Sequence, residues 1–211
     1  MNSENPSKKQ LISRRRLLGI AFCAGTGLLI GTKKAGAMWS VMDVLGQSSP
    51  DTNDRKWKDV PPALRGVLGK DADAYMRFLQ RIGLKRISIA QIIDSHAKAH
   101  GKIHNTLPPR QMWGNIRNTL RALDKVAVRI GEPVDEVVSV YRSPAYNATC
   151  PGAKSHSYHM RNNAIDIRFK ASPRIVSATA RELRKCGLFK GGVGRYSGFT
   201  HIDTRGENVD W

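Results

Sequence analysis

Three polar residues in the last third of the chain have the side chains of a catalytic metal site. His159 and Asp166 are separated by six residues, and His201 comes from a later segment. Two imidazoles and one carboxylate are a donor set typical of catalytic zinc sites, which leave the fourth position to water. Structural zinc sites more often close with four ligands rich in cysteine. The pattern therefore predicts the zinc site of a hydrolase.

Two further polar residues accompany these three. Arg142 supplies a guanidinium, and Asp203 lies two positions after His201. Residues two apart on a strand project to the same face, so Asp203 could either reach a water at the metal or orient the imidazole. The alternatives are a satisfied core histidine at His201, a turn residue at Asp203 and a salt-bridge partner at Asp166. Periodicity alone favours these alternatives.

Two predicted strands would position these side chains. Residues 138–141 and 164–169 alternate apolar and polar side chains with a period of two. The first strand delivers Arg142 to a turn at 143–144. The second strand holds Asp166 on its polar face, opposite an apolar face that can pack on a core.

Helices are predicted over most of the remaining mature chain. Apolar residues recur at steps of three and four within 61–104 and, most clearly, over 113–130, where Gly131 supplies a left-handed cap. A further helix begins at 172–173 and precedes a final hairpin around 196–198. These elements predict an α+β fold, in which a small antiparallel sheet carries the zinc site and packs against helices.

The N-terminal segment predicts the compartment. Residues 13–18 form a twin-arginine pattern, a moderately apolar run follows over 17–31, and 35–37 is a small-residue cleavage site. The run is shorter than the 18 or so residues of a membrane span. An uncleaved anchor is the alternative. We expect residues 1–37 to be a signal peptide for twin-arginine export and the mature protein to be periplasmic.

The mature chain would be strongly basic. Residues 38–211 contain 28 Lys or Arg and 16 Asp or Glu, which gives a net charge of +12. Such a charge concentrates a protein near nucleic acid, acidic lipid or cell wall. No nucleic-acid-binding motif accompanies it, so the wall or the membrane surface is the expected partner and the protein is at most peripheral to the envelope. A basic surface that only aids solubility is the alternative.

The mature chain has the length of one domain with an N-terminal extension. We interpret 38–57 as a linker, 58–104 as a helical N-terminal extension and 105–211 as the domain that carries the zinc site. Cys150 and Cys186 remain after cleavage. An oxidising compartment permits a disulfide between them, and two unpaired thiols are equally compatible with the sequence.

The segments around the candidate ligands resemble the zinc D-alanyl-D-alanine peptidase family, which shares its fold with the hedgehog signalling domain. The family pattern is Ser-x-His-x6-Asp with a later His, preceded by a Tyr-Arg-Ser strand end, and residues 157–166 and 141–143 match it. Residues 191–204 resemble the branch that is exported by the twin-arginine route and cleaves murein. The resemblance covers about residues 105–211.

This resemblance implies a zinc metallopeptidase that acts on peptidoglycan stems or cross-links containing D-amino acids. It implies zinc ligands at His159, Asp166 and His201, and a cation at Arg142 near the scissile carbonyl or a substrate carboxylate. One alternative is a carboxypeptidase that only trims terminal D-alanine. The other is a non-catalytic, zinc-containing module that binds the cell wall.

The chain departs from the family pattern at two positions. Many relatives place a Glu or Asp three residues before the last zinc histidine as general base, and Gly198 stands there. Asp203 or a residue of another loop would then transfer the proton, or the site would bind metal and react slowly. Asn162 replaces a usual glycine, which Asn can do because it tolerates left-handed backbone angles. His156, in the zinc loop, is expected to be exposed.

Overall fold

The computed structural model describes residue 66 and residues 68–211. Within them, helices pack against one face of a five-stranded sheet, which confirms the expected α+β fold. The helices are α1 (Ala72–Gln80), α2 (Ile89–His96), α3 (Ile116–Ile130), α4 (Pro144–Thr149) and α5 (Pro173–Lys185). The strands are β1 (Ala99–His100), β2 (Ile103–His104), β3 (Glu136–Ser139), β4 (Ala164–Arg168), β5 (Gly192–Arg195), β6 (Thr200–Asp203) and β7 (Val209–Asp210). Short 3₁₀ helices span Arg110–Asn115 and Tyr158–Arg161.

The five strands of the main sheet are ordered β3-β4-β6-β5-β7. All neighbours are antiparallel except β7, which runs parallel to β5. The register sets Ser139 opposite Asp166, Asp166 opposite His201, and His201 opposite Gly194. Because opposite residues in a sheet share a face, these four residues form one line across it. We refer to Ser139, Asp166, His201 and Gly194 as the central row.

Helix α3 is the clearest case in which the sequence pattern determines packing. Ile116, Leu120, Leu123 and Ala127 are fully buried, as their spacing of three and four predicts. The helix ends at Gly131, whose φ of 85° is left-handed. The sheet contributes apolar residues to the same core from the face opposite the central row: Ile165, Ile167, Val193 and Ile202. The polar face of the sheet is therefore left for the central row.

Helices α1 and α2 belong to the same core as the sheet. Tyr75 and Leu79 of α1, and Ile92 and Ile93 of α2, are fully buried in the hydrophobic cluster that includes α3 and the sheet. Asp124 of α3 accepts hydrogen bonds from the backbone N–H groups of residues 85 and 86, after α1, at 2.9 and 2.8 Å. The described part of the predicted extension is thus packed against the sheet domain.

The helical interpretation of 61–104 is wrong for its last part. Strands β1 and β2 form an antiparallel hairpin there, with His100 opposite Ile103 and a two-residue turn between them. Gly101 has a φ of 58°, the left-handed conformation that such a tight turn requires. Residues 61–65 and 67 lie outside the described residues.

The turn expected at 143–144 is the first turn of helix α4. The Ser143 hydroxyl accepts a hydrogen bond from the N–H of Tyr146 at 3.3 Å, and Pro144 occupies the first helical position. Ser-Pro is a start signal for helices, because serine caps the free N–H groups and proline needs no partner there. Ser172 precedes α5 as predicted, but its hydroxyl accepts no capping hydrogen bond from the helix.

Three further expectations concern export and cross-linking. Cys150 and Cys186 are not joined by a disulfide. No helix among the described residues combines the length and the apolar character that a membrane span needs. The predicted signal peptide (1–37) and linker (38–57) lie outside the described residues.

Candidate metal centre

Two of the three predicted ligands lie side by side on neighbouring strands. Asp166 of β4 and His201 of β6 are opposite each other in the central row, and both are buried. The Oδ1 atom of Asp166 lies 2.7 Å from Nδ1 of His201. The backbone hydrogen bonds of the sheet fix this pair.

His159 reaches the same point from a loop. It lies in the 3₁₀ helix Tyr158–Arg161, whose start is capped by the Ser157 hydroxyl. Asn162 ends this turn with a φ of 52°, so it adopts the left-handed conformation expected of it. The Nε2 atom of His159 lies 3.2 Å from Nδ1 of His201 and 3.2 Å from Oδ2 of Asp166.

Each imidazole is oriented through its second nitrogen. The Nδ1 atom of His159 lies 2.6 Å from the carbonyl oxygen of Val140, and Nε2 of His201 lies 3.0 Å from Oδ2 of Asp203. A carbonyl or carboxylate oxygen can only accept, so these nitrogens carry the protons. His159 Nε2 and His201 Nδ1 then face Asp166, and a cation would bind these two nitrogens in place of the proton between His201 and Asp166.

The donor atoms fit a zinc ion. One donor atom from each of His159, Asp166 and His201 can be chosen so that all lie within 4.8 Å of one another. Zn–N distances of about 2.0–2.1 Å in a tetrahedral site place the donors about 3.3 Å apart. The two nitrogens are 3.2 Å apart. These residues could hold a metal ion with little rearrangement.

Asp203 is buried behind His201. Besides the imidazole, its carboxylate accepts hydrogen bonds from the N–H of Gly192 at 3.0 Å and from the backbone N–H of Arg205 at 3.1 Å. The guanidinium of Arg205 donates to both of its oxygens. Of the two roles that the sequence left open, this geometry favours orienting the imidazole, because the carboxylate lies on the side of the ring away from Asp166.

Arg142 lies at the β3 end of the central row. Its Nη2 lies 2.5 Å from Oδ2 of Asp166, and its Nε donates to the hydroxyl of Ser139 at 2.8 Å. Its side chain is 15% exposed. A guanidinium has five N–H donors, and these bonds use two of them. The others can serve a substrate oxygen beside the metal centre.

The charges of the centre are strongly coupled. Burial alone would raise the pKa of Asp166, but the two imidazoles outweigh it and keep this pKa well below its usual range. Burial lowers the pKa of His159. For His201, burial is outweighed by hydrogen bonds to Asp166 and Asp203, so its pKa is raised. A cation that binds Nδ1 of His201 must displace a proton, so metal affinity decreases as the pH falls.

Gly198 leaves the family's usual base position without a carboxylate. It lies exposed in the turn between β5 and β6, and a Cβ atom there would meet nothing within 4 Å. Its carbonyl accepts a hydrogen bond from Arg168. His156 is exposed, as expected, and contacts the hydroxyl of Ser155.

Several residues that support the centre were not predicted from the sequence. Arg205 was given no role, although an arginine two positions after Asp203 can reach back along the strand end. Val140 contributes a backbone oxygen, which no side-chain pattern reveals. Gly192 and Gly194 alternate on one face of β5, and alternating glycines in a strand indicate close approach of other groups.

The comparison with family models agrees with this geometry. Residues 85–203 match the model described as Peptidase M15. The chain belongs to the peptidase M15 family. The M15 match includes Arg142 and all three candidate ligands, ends at Asp203, and begins within the segment interpreted as a helical extension.

A curated relative matches part of this M15 chain. The probable peptidoglycan L,D-endopeptidase MepK of Haemophilus influenzae is 41% identical over 76 residues. The match covers 33% of the M15 chain and 38% of the relative, so it spans about two fifths of that protein's length. No solved structure matches the chain.

Proposed function

We propose that the protein is a zinc-dependent peptidase that hydrolyses peptidoglycan peptides containing D-amino acids, in stems or cross-links. The observation that carries this proposal is the buried His159–Asp166–His201 cluster, in which one nitrogen of each imidazole contacts Val140 or Asp203 and the other nitrogen faces Asp166. Catalytic zinc sites combine three such ligands with one open position. Membership of the peptidase M15 family supports the reaction type.

The chain's own residues would prepare the reaction. Zinc at this site would polarise the scissile carbonyl and lower the pKa of a water to about 7. Val140 and Asp203 hold the two imidazoles in the tautomers that bind a cation. Arg142 would stabilise negative charge on the carbonyl oxygen as it develops, or would fix a substrate carboxylate.

Two observations support a cell-wall peptide as substrate. The relative with 41% identity is named a probable peptidoglycan L,D-endopeptidase, which favours the cutting of cross-links. The charge of +12 on residues 38–211 suits a polymer that carries carboxylates. The free donors of Arg142 would also suit a terminal carboxylate, which favours a carboxypeptidase as the second candidate. Gly198 favours the third, a wall-binding module without activity.

Incubation of the purified protein with muropeptides tests the proposal. Cutting of cross-linked dimers into monomers indicates an endopeptidase, and loss of one terminal D-alanine indicates a carboxypeptidase. The His201→Ala protein is the control for contaminating hydrolases. Binding to sacculi with no released product from either substrate would contradict the proposed hydrolysis and would support the wall-binding module.

We also propose export by the twin-arginine route, from the pattern in residues 13–18. Replacement of Arg14 and Arg15 by lysine is expected to leave the precursor in the cytoplasm, because that route depends on the arginine pair. Fractionation with an immunoblot measures the distribution. Replacement of Lys8 and Lys9 by arginine is a matched control that leaves the pair intact. Undiminished periplasmic product from the Arg14 and Arg15 variant would indicate the general secretory route.

We expect Asp203→Asn to lower metal affinity or activity by about 10–100-fold. Removal of groups that orient metal-binding histidines has effects of this size. The asparagine oxygen can still accept the hydrogen bond from His201, but it lacks the negative charge of the carboxylate. Competition with a chelator measures the affinity. Asp71→Asn is the matched control, since Asp71 also pairs with an arginine, Arg110, on the exposed surface.

The same variant separates the two roles of Asp203. A general base would contribute about 10²–10⁴ to the rate, so turnover would fall by that factor while the metal stays bound at full occupancy. An orienting role predicts that added metal restores much of the turnover. Unchanged affinity and unchanged turnover would contradict both roles.

A further inference from the structure

Trp211 lies at the end of the central row opposite Arg142. Parallel pairing of β7 with β5 brings Trp211 alongside Gly194. The indole lies over β5, and its centroid is 5.2 Å from that of the His201 ring. A Cβ atom on Gly194 would lie 2.5 Å from two indole atoms, closer than real Cβ contacts. The indole therefore fills the place of the side chain that Gly194 lacks, directly beside a candidate metal ligand.

The indole is held in place although much of it faces solvent. Its Nε1–H donates to the hydroxyl of Tyr196 at 2.9 Å, and the ring of Tyr196 stacks on Phe199 with centroids 4.4 Å apart. The backbone oxygen of Trp211 accepts a hydrogen bond from Arg195 at 2.8 Å. Yet Trp211 is 43% exposed and Tyr196 is 42% exposed. Fixed, half-exposed aromatic rings are typical of recognition surfaces, because they offer a large contact area at little entropic cost.

The two ends of the central row differ in chemistry. The β3 end carries the Arg142 guanidinium, and the β5 end carries the indole of Trp211. Neighbouring strands are about 4.8 Å apart, so the four strands span roughly 14 Å, the length of about four extended residues. A peptide that crosses the metal centre along the row would meet a cation on one side of the cut bond and aromatic rings on the other.

We propose that Trp211 and Tyr196 form an aromatic wall that binds the substrate residue on the side of the cut bond away from Arg142. This rests on the proposed function, since it names a binding site for that substrate. The occupant is a peptide because the wall contacts His201, and a bond cut at the metal centre is a peptide bond. Trp211 lies beyond residues 85–203, so the match to the family does not include it.

Kinetics with a soluble cross-linked stem peptide test the aromatic wall. We expect Trp211→Ala to raise KM about tenfold or more with kcat within about twofold, because the wall would contact the substrate equally in the ground and transition states. Trp211→Phe should recover most of the loss. Leu188→Ala is the control, since Leu188 is 40% exposed and does not belong to the wall. Substrates truncated on the Trp211 side should show no difference between wild type and Trp211→Ala.

Fluorescence provides a readout that does not depend on turnover. Binding of a stem-peptide product should change the emission of the wild type, and this change should be absent from Trp211→Phe. Gly194→Ala should also weaken binding of the stem peptide, as Trp211→Ala does, because the new Cβ displaces the indole without removing it. Metal content, measured in every variant, should stay at the wild-type value.

Several outcomes overturn the aromatic wall, and they differ from failure of the proposed function. Unchanged KM and emission in the Trp211 variants would show that the substrate does not touch the indole. Loss of metal in Trp211→Ala would show that the indole only supports His201. An emission change with a wall disaccharide and none with peptide would assign the surface to glycan. A wild type that binds peptide through Trp211 without hydrolysis would contradict the peptidase function alone.

Discussion

Alanine at His159 or at His201 is expected to abolish metal binding and hydrolysis together. Either change leaves two of the three ligands, and the remaining imidazole and Asp166 cannot hold zinc tightly in a site built for three donors. Metal content after dialysis should fall from one ion per chain to almost none. Turnover of cross-linked muropeptides should fall below detection.

His156→Ala is the matched control for this experiment. His156 belongs to the same loop as His159, is exposed and does not contact the cluster. Its replacement should leave metal content and turnover at the wild-type values. Full metal retention in both His159→Ala and His201→Ala would contradict the assignment of the centre. Circular dichroism should show that each variant is folded.

We expect Arg142→Ala to lower turnover by about 10²–10³ while the metal remains bound. Removal of a single donor that stabilises a developing oxyanion has an effect of this size. Arg142 also pairs with buried Asp166, so the variant should be assayed at saturating zinc, which supplies the missing positive charge. A drop in kcat would indicate the oxyanion role, and a rise in KM would indicate binding of a substrate carboxylate.

Two further variants serve as comparisons for Arg142→Ala. Arg142→Lys keeps the charge but not the planar fork that contacts Ser139 and Asp166, so it should recover only part of the activity. Arg168→Ala removes an exposed arginine from the face of β4 that also carries Asp166, and its surface pair with Glu136 contributes little. Its turnover should stay within about twofold of wild type. If Arg142→Ala equals wild type in both kcat and KM, Arg142 takes no part in the reaction.

Periodicity and local signals predicted the parts of the fold that depend on neighbours in sequence. The stripe of α3 and the cap at Gly131 follow from spacing alone, and so does the alternation that places Asp166 on the polar face of β4. Residues that share a strand, such as His201 and Asp203, could also be assigned to one face. The resemblance to a peptidase family then pointed to the cluster that the structure brings together.

The remaining features depend on strand register, which the sequence does not encode locally. No spacing rule sets Gly194 opposite His201 or brings Trp211 over β5, because these contacts join three separate segments. The carbonyl of Val140 became a partner of His159 only through the folding of the loop. The hairpin at 99–104 was missed because its apolar residues fit a helical pattern, while the left-handed turn at Gly101 overrides it.

The three candidate ligands differ in how they are attached to the fold, so the loop and the sheet that carry them can differ in local stability. Asp166 and His201 belong to paired strands, whereas His159 belongs to a loop that is attached by a short 3₁₀ turn and by separate hydrogen bonds, among them those of His159 to Val140 and of Asn162 to Met112. An ion bound by all three ties this loop to the sheet, so its binding free energy adds to the local stability of residues 157–163. Chelation would then expose that loop to proteases while the sheet keeps its slow hydrogen exchange.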